Sequence, residues 1–149
     1  NELIELILKR LRPIAKQRNI DVLYESAREV FAEIDEVKLT LAISNLVENA
    51  IKYNKEYGYV KVSLDADHQF ATIMVEDNGI GIPEEAQEHI FERFYRVDKS
   101  HSREIGGTGL GLAIARNAIL LHRGSIKIDS EEGQGTVFTV KIPIIYVSK

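Results

Sequence analysis

Four stretches of this sequence carry side chains able to do chemistry. The first is Asn45-Leu46-Val47-Glu48-Asn49-Ala50-Ile51-Lys52-Tyr53. A helix turning about 100° per residue sets Asn45 and Asn49 on a common face, with Lys52 close to both and Tyr53 beside Asn49. Asparagine is a poor helix former, so two of them in mid-helix want a reason. Either the amides are solvated or bonded to a neighbouring loop, or Asn49 offers an oxygen to a metal ion and Lys52 an ammonium to phosphate. The second pairing suits Mg²⁺, which takes few protein oxygens and leaves the rest to water and phosphates. The second stretch, Asp77-Asn78-Gly79-Ile80-Gly81-Ile82, ends an apolar strand. A carboxylate there can accept a hydrogen bond from an amino group on a planar base, and glycines let a ring approach the backbone; the same letters are also a common turn. The third, Gly106-Gly107-Thr108-Gly109-Leu110-Gly111-Leu112, runs into a helix whose first N–H groups and dipole favour an anion. It lacks the lysine of a Walker loop and does not follow a strand as a dinucleotide fingerprint does. Between them, Phe91-Glu92-Arg93-Phe94-Tyr95-Arg96 interleaves aromatics with cations. It reads equally as a core helix with solvated arginines or as a source of a guanidinium for phosphate.

The elements that must position these residues follow from periodicity. Leu3, Ile4, Leu6, Ile7, Leu8, Leu11 and Ile14 have helical spacing, weakening near Pro13. Short strand-like runs come at 20–24 and 30–34, and Asp35 can cap a long helix reaching about Tyr53, with Leu39, Ala42, Ile43, Leu46 and Ala50 as its apolar stripe. Residues 61–66 and 70–76 form a hairpin about Asp65-Ala66-Asp67-His68. A short helix is expected over 84–94, a polar mobile segment over 97–107, a helix over 110–121, and strands at 125–130 and 136–142 around Glu131-Glu132-Gly133-Gln134-Gly135. Strands and helices without strict alternation predict an α+β sandwich, a mixed sheet covered by helices on one face; a doubly wound parallel sheet is the alternative.

Composition bounds the possibilities. With 149 residues, 44% of them hydrophobic, the chain has the proportions of one domain with one core over 1–149. Its 19 Lys+Arg against 23 Asp+Glu leave a formal net charge of -4, which argues against a nucleic-acid surface but not against an anionic small molecule. Without cysteine there is no disulfide framework and no thiolate metal site, which fits a cytoplasmic setting. No apolar run approaches the ~20 residues of a membrane span, so no direct membrane insertion of this chain is expected. The helical pattern begins at residue 1 with no capping residue before it, as if cut from something longer.

Taken in order, these boxes resemble the catalytic and ATP-binding domain of bacterial sensor histidine kinases, within the ATPase superfamily shared with gyrase, heat-shock chaperones and mismatch-repair proteins. The asparagine box is similar to 45–53, the first glycine box to 77–81, the phenylalanine box to 91–96 and the second glycine box to 107–111, with a closing Gly133-Gln134-Gly135-Thr136-Val137-Phe138 through Pro143. The resemblance spans essentially the whole chain. It implies the Bergerat fold, a two-layer α/β sandwich with a mixed, mostly antiparallel sheet covered by helices on one face. It implies that Asn49 holds Mg²⁺ with Asn45 supporting it, and that Asp77 binds the adenine amino group with a water helped by Thr136. Tyr53, Ile82, Ile90 and Phe138 would line the base pocket, with Gly79 and Gly81 beside it. Lys52, Tyr95 and Arg96 would face the phosphates, with Arg93 near. Residues 97–107 would be a lid, and Gly107, Thr108, Gly109, Leu110, Gly111 and Leu112 would meet the phosphates at the helix start.

Hydrolytic branches of the superfamily resemble one another in placing Glu one turn before the metal-binding Asn. Here that position is Asn45, and a neutral amide cannot act as general base, so rapid ATP hydrolysis is disfavoured. Glu48 points about 100° away from Asn49 on an ideal helix; it either orients a metal-bound water or is solvated. Phosphoryl transfer needs mainly positioning and charge neutralisation, which Asn45, Asn49, Lys52, Arg96 and Mg²⁺ would supply to an acceptor brought from elsewhere. None of His68, His89, His101 and His122 lies in a helix resembling the family's phosphoacceptor motif, and His122 suits a structural cap near a helix end. The implied function is donation of the γ-phosphoryl group of ATP to a histidine on a dimerisation domain outside this chain, the phosphate passing on to a response regulator; the implied setting is the cytoplasmic part of a membrane-anchored sensor kinase. Alone, the chain is not expected to autophosphorylate. The alternatives are a nucleotide-dependent interaction module without catalysis, and a serine kinase of the anti-sigma type, which the form of residues 91–96 disfavours.

Overall fold

A computed structural model describes residues 1–26, 29–32, 34–55, 57–82, 87 and 111–144. Among them are the helices α1 (Glu2–Gln17), α2 (Glu36–Lys52) and α3 (Gly111–Leu121), and the strands β1 (Asp21–Ser26), β2 (Tyr59–Ala66), β3 (Phe70–Asp77), β4 (Ser125–Glu131) and β5 (Gly135–Pro143). The strands form one five-stranded sheet ordered β1-β2-β3-β5-β4. Only the β1–β2 pair is parallel, the other three being antiparallel. The parallel pair has α2 between its strands in sequence, as a parallel connection requires.

Strand alternation explains why one face is covered. Val60, Val62 and Leu64 of β2, Ala71, Ile73 and Val75 of β3, and Phe138, Val140 and Ile142 of β5 are buried, while Lys61, Glu76 and Met74 fall on the opposite face. Onto the apolar face α2 lays Leu39, Ala42, Ile43, Leu46, Val47 and Ala50, and α3 lays Ala115, Ala118 and Ile119. α1 packs its stripe of Ile4, Ile7, Leu8, Leu11 and Ala15 against α2 and β1. This is the sandwich expected from pattern, and the doubly wound alternative is excluded by the three antiparallel pairs. No described helix is long and apolar enough to cross a membrane.

Two local expectations are corrected. α1 does not weaken at Pro13 but continues to Gln17. Pro13 lies on the exposed face, where the carbonyl it leaves unpaired meets water, and the buried stripe holds both sides of it. Residues 30–34 form no strand in their described part. The Val30 N–H is taken by the Asn1 side chain at 2.5 Å, and the chain then turns in so that Asp35 can cap α2, accepting from the Lys38 N–H at 3.1 Å. The hairpin stands as expected, closed by the Asp67 carboxylate, which accepts from the Gln69 and Phe70 N–H groups at 2.7 Å each. Those bonds hold its pKa below the usual value.

Candidate functional site

The end of β3 carries the polar part of the core. Across four strands, Val60, Asp77, Thr136 and Ser130 are register partners in one transverse row. Asp77 and Thr136 are both buried among hydrophobic neighbours. The Asp77 carboxylate accepts from the Gly79 N–H at 2.9 Å and from the Thr136 N–H. Burial nonetheless pushes its pKa up from 3.8 to about 6, with the Glu76 charge adding to the effect and the two N–H groups opposing it.

The loop after Asp77 is fastened on two sides. Toward α2, the Ile80 N–H donates to the Tyr53 carbonyl at 3.2 Å, and a Cβ on Gly79 would stand 2.5 Å from that same oxygen. Toward the β4–β5 turn, the Gly133 N–H donates to the Ile80 carbonyl at 2.7 Å, and the Ile82 N–H to the Ser130 Oγ at 2.8 Å. The Gln87 amide bridges the Ile82 and Ser130 carbonyls at 2.9 and 3.1 Å. Gly81 sits at φ +71°, where a Cβ would meet the Glu131 carbonyl oxygen at 2.2 Å. Both glycines are thus demanded by contacts of the chain with itself, a reason distinct from the approach of a ring.

α2 ends where this loop begins. Arg18, just past α1, spreads its guanidinium over the C-terminal end of α2, donating to the Ile51 carbonyl, to the Lys52 carbonyl at 2.7 Å and to the Asn54 carbonyl at 2.7 Å. It supplies donors to carbonyls that a helix end leaves without intrahelical partners. Asn54 is itself buried and donates to the Tyr59 carbonyl at 2.9 Å. Asn45, Glu48, Asn49, Lys52 and Tyr53 are half-buried along α2. The Asn45 Nδ2 is buried without a hydrogen-bond partner among the described residues. Among those residues no group of three or more His, Cys, Asp or Glu side chains could cage a metal ion. A single neutral oxygen such as that of Asn49 fits a hard ion that keeps its waters and phosphates, as Mg²⁺ does, and not a dehydrated structural cation.

The structure therefore joins Tyr53, at the end of the asparagine box, directly to the loop of Gly79, Gly81 and Ile82, and sets Thr136 beside Asp77. Ile82 is buried, and Phe138 is 1% exposed, two residues along β5 from Thr136 on the same face. Gly111 opens α3, and Leu112 packs half-buried against the core. Ile90, Tyr95, Arg96, Gly107, Thr108, Gly109 and Leu110 lie outside the described residues, as do Phe91, Arg93, the segment 97–107, His89, His101 and, apart from Gln87, the helix expected over 84–94. His68 is exposed in the hairpin turn. His122 is buried, with Nδ1 2.8 Å from the Ala118 carbonyl and Nε2 accepting from the Asp35 N–H at 3.0 Å. It ties the end of α3 to the start of α2, the structural role expected. Sequence reasoning missed Arg18, Asn54, Gln87 and Ser130, each of which makes at least one bond to a residue more than thirty positions away.

Fold and site together define an ATPase domain: residues 34–145 match the model of the histidine kinase-, DNA gyrase B-, and HSP90-like ATPase family, and the chain belongs to that family. Its sheet and helices are the Bergerat fold of histidine kinase catalytic domains. It is 44% identical over 148 residues to the sensor histidine kinase RppB of Synechocystis sp., covering 99% of this chain and 33% of RppB. The chain spans a third or less of the length of the curated relatives it matches. Among solved structures, the nucleotide-free catalytic domain of the histidine kinase ThkA superposes with a TM-score of 0.84 at 33% identity, over 97% of this chain and 92% of that one. ThkA in complex with the response regulator protein TrrA matches with a TM-score of 0.79 at 30% identity, over 97% of this chain and 40% of that one. Full-length ShkA in complex with AMPPNP matches with a TM-score of 0.81 at 27% identity, over 99% of this chain and 30% of that one.

Proposed function

We propose that this chain binds ATP with Mg²⁺ and donates the γ-phosphoryl group to a histidine on a dimerisation domain outside it, in two-component signalling. The observation that carries this reading is the buried Asp77 carboxylate, held by backbone N–H groups and linked through the Ile80–Tyr53 bond to the helix bearing Asn49 and Lys52. Asp77 accepts from the amino group of adenine, with Thr136 beside it; Tyr53, Ile82 and Ile90 line the base site over the Phe138 floor. Asn49 gives its amide oxygen to the metal and Asn45 supports that face of the helix. Lys52, Tyr95 and Arg96 face the phosphates, and the segment from Gly107 to Leu112 meets them at the start of α3 through backbone N–H groups and the helix dipole. The metal's contribution when bound is to neutralise charge on the phosphates. Asn45 supplies no base, so water is not activated there and the γ-phosphoryl group is kept for the imidazole acceptor. The names of the relatives support a place in a sensor histidine kinase, which on this reading is membrane-anchored, and the response regulator held by ThkA supports passage of the phosphate to a response regulator.

The test is to mix the chain with a separately produced dimerisation fragment and γ-labelled ATP. The expected result is acid-labile label on the fragment and none on the chain alone. Acid-stable label would point to a serine kinase, and an unlabelled fragment to an interaction module.

A further inference from the structure

Ser130 has one proton and three neighbours. Its Oγ accepts from the Ile82 N–H at 2.8 Å, lies 3.0 Å from the Gly135 carbonyl, and lies 2.8 Å from the Thr136 Oγ1. An amide N–H cannot accept and a carbonyl cannot donate. All three bonds form together in one arrangement only, with the Ser130 O–H donating to the Gly135 carbonyl and the Thr136 O–H donating to the Ser130 Oγ. Thr136 then has no proton left to offer, and the two lone pairs of its hydroxyl are acceptors. Its register partner across β3 and β5 is Asp77, acceptor-only when ionised. The polar edge formed by the two side chains accepts and does not donate.

We propose that Ser130 is a specificity-determining positioning residue, which commits the Thr136 hydroxyl as an acceptor and so selects an amino group over a carbonyl at C6 of a bound purine, directly or through a water. This rests on the reading of Asp77 as the base site. With Ser130 absent, the Thr136 proton is free to turn toward a 6-oxo group, and the discrimination weakens even though Asp77 is unchanged. The surroundings agree with such a role: the same hydroxyl fixes the Ile82 N–H, and Gln87 bridges the Ser130 and Ile82 carbonyls, so the backbone on both sides of that bond is held together.

The test is calorimetry with ADP and with IDP, each with Mg²⁺, at pH 8, where the Asp77 carboxyl, with its pKa near 6, is ionised. Wild type, Ser130→Ala, Ser130→Thr and Thr136→Val are compared by the ratio of the two dissociation constants. Wild type is expected to prefer ADP by about tenfold or more, Ser130→Ala to lose at least about threefold of that preference, and Ser130→Thr to retain it. A merely structural serine would weaken both nucleotides equally and leave the ratio untouched. Thr136→Val leaves the Ile82–Ser130 bond in place and must also lower the ratio, which keeps the test open if Ser130→Ala does not fold. A preference that survives intact in the folded variants overturns the inference alone; a wild type that binds both nucleotides equally, or neither, overturns the Asp77 reading and the inference with it.

Discussion

Around Asp77, hydrogen bonds run from the loop into β4, the end of α2 and the β4–β5 turn, whereas the C-terminal half of α2 presents Asn45, Asn49 and Lys52 half-buried, with the Asn45 Nδ2 left without a partner among the described residues. The first region is shaped before any ligand arrives, so little ordering is needed for a flat base to enter it. The second offers neutral oxygens and one ammonium, suited to ions whose positions depend on how phosphates and waters arrange themselves. Under the proposed function the contrast divides the work, the identity of the ligand being read at the sheet end and its charge handled at the helix, with the Tyr53–Ile80 bond joining the two and the Arg18 fork bracing the end of α2.

The largest expected effect comes from disturbing the fastened end. Gly81→Ala forces a Cβ toward the Glu131 carbonyl from a positive φ and should lower stability by about 3 kcal/mol, read as an earlier midpoint in urea. Next is the brace at the end of α2. Arg18→Ala strips a charged donor from the carbonyls at the end of α2 and should cost about 2 kcal/mol, with partial recovery in Arg18→Lys. Asn49→Ala touches only the helix end of the comparison. Its stability should stay within about 0.5 kcal/mol of wild type, while AMPPNP with Mg²⁺ binds about tenfold more weakly and adenosine binds unchanged; equal weakening of both ligands would erase the division of roles.

A separate effect is a pH dependence confined to the sheet end. The folded chain keeps the Asp77 proton up to about pH 6, against 3.8 for the ordinary carboxyl. Between those values the folded state binds more protons than the unfolded one, so stability falls as pH rises through this window and is flat above it. A donor on the base favours the ionised carboxylate, so adenosine affinity rises over the same window. Asp77→Asn should remove both slopes, as followed by denaturation and by calorimetry from pH 4.5 to 7.5, about the window set by that pKa.

How much of this was legible in the sequence depended on distance along the chain. α2 was readable from Asp35 to Tyr53 because its cap and its apolar stripe are local, and the hairpin because Asp67 closes it within three residues. The sheet order was not, since the parallel β1–β2 pair brings together strands more than thirty residues apart. Residues 30–34 misled because apolar spacing alone does not show that Asn1 takes the Val30 N–H. At the site, residue types gave Asp77, Asn49 and Lys52, and the family resemblance added Thr136. Arg18 and Ser130 carried no such signal, since their partners 33–36 and 48 residues away are set by the fold. Gly79 and Gly81 were noticed for the space they would leave a ring, while the structure shows the protein's own backbone filling it.

The central claim, that the buried carboxylate at the end of β3 reads the base while α2 handles the charge, is tested most directly by calorimetry of AMPPNP with Mg²⁺ against wild type and Asp77→Ala at pH 8. The predicted result is a loss of about thirtyfold or more in affinity, as a charged hydrogen bond implies, in a variant whose thermal midpoint is no lower than wild type; equal affinity in the two proteins would contradict it.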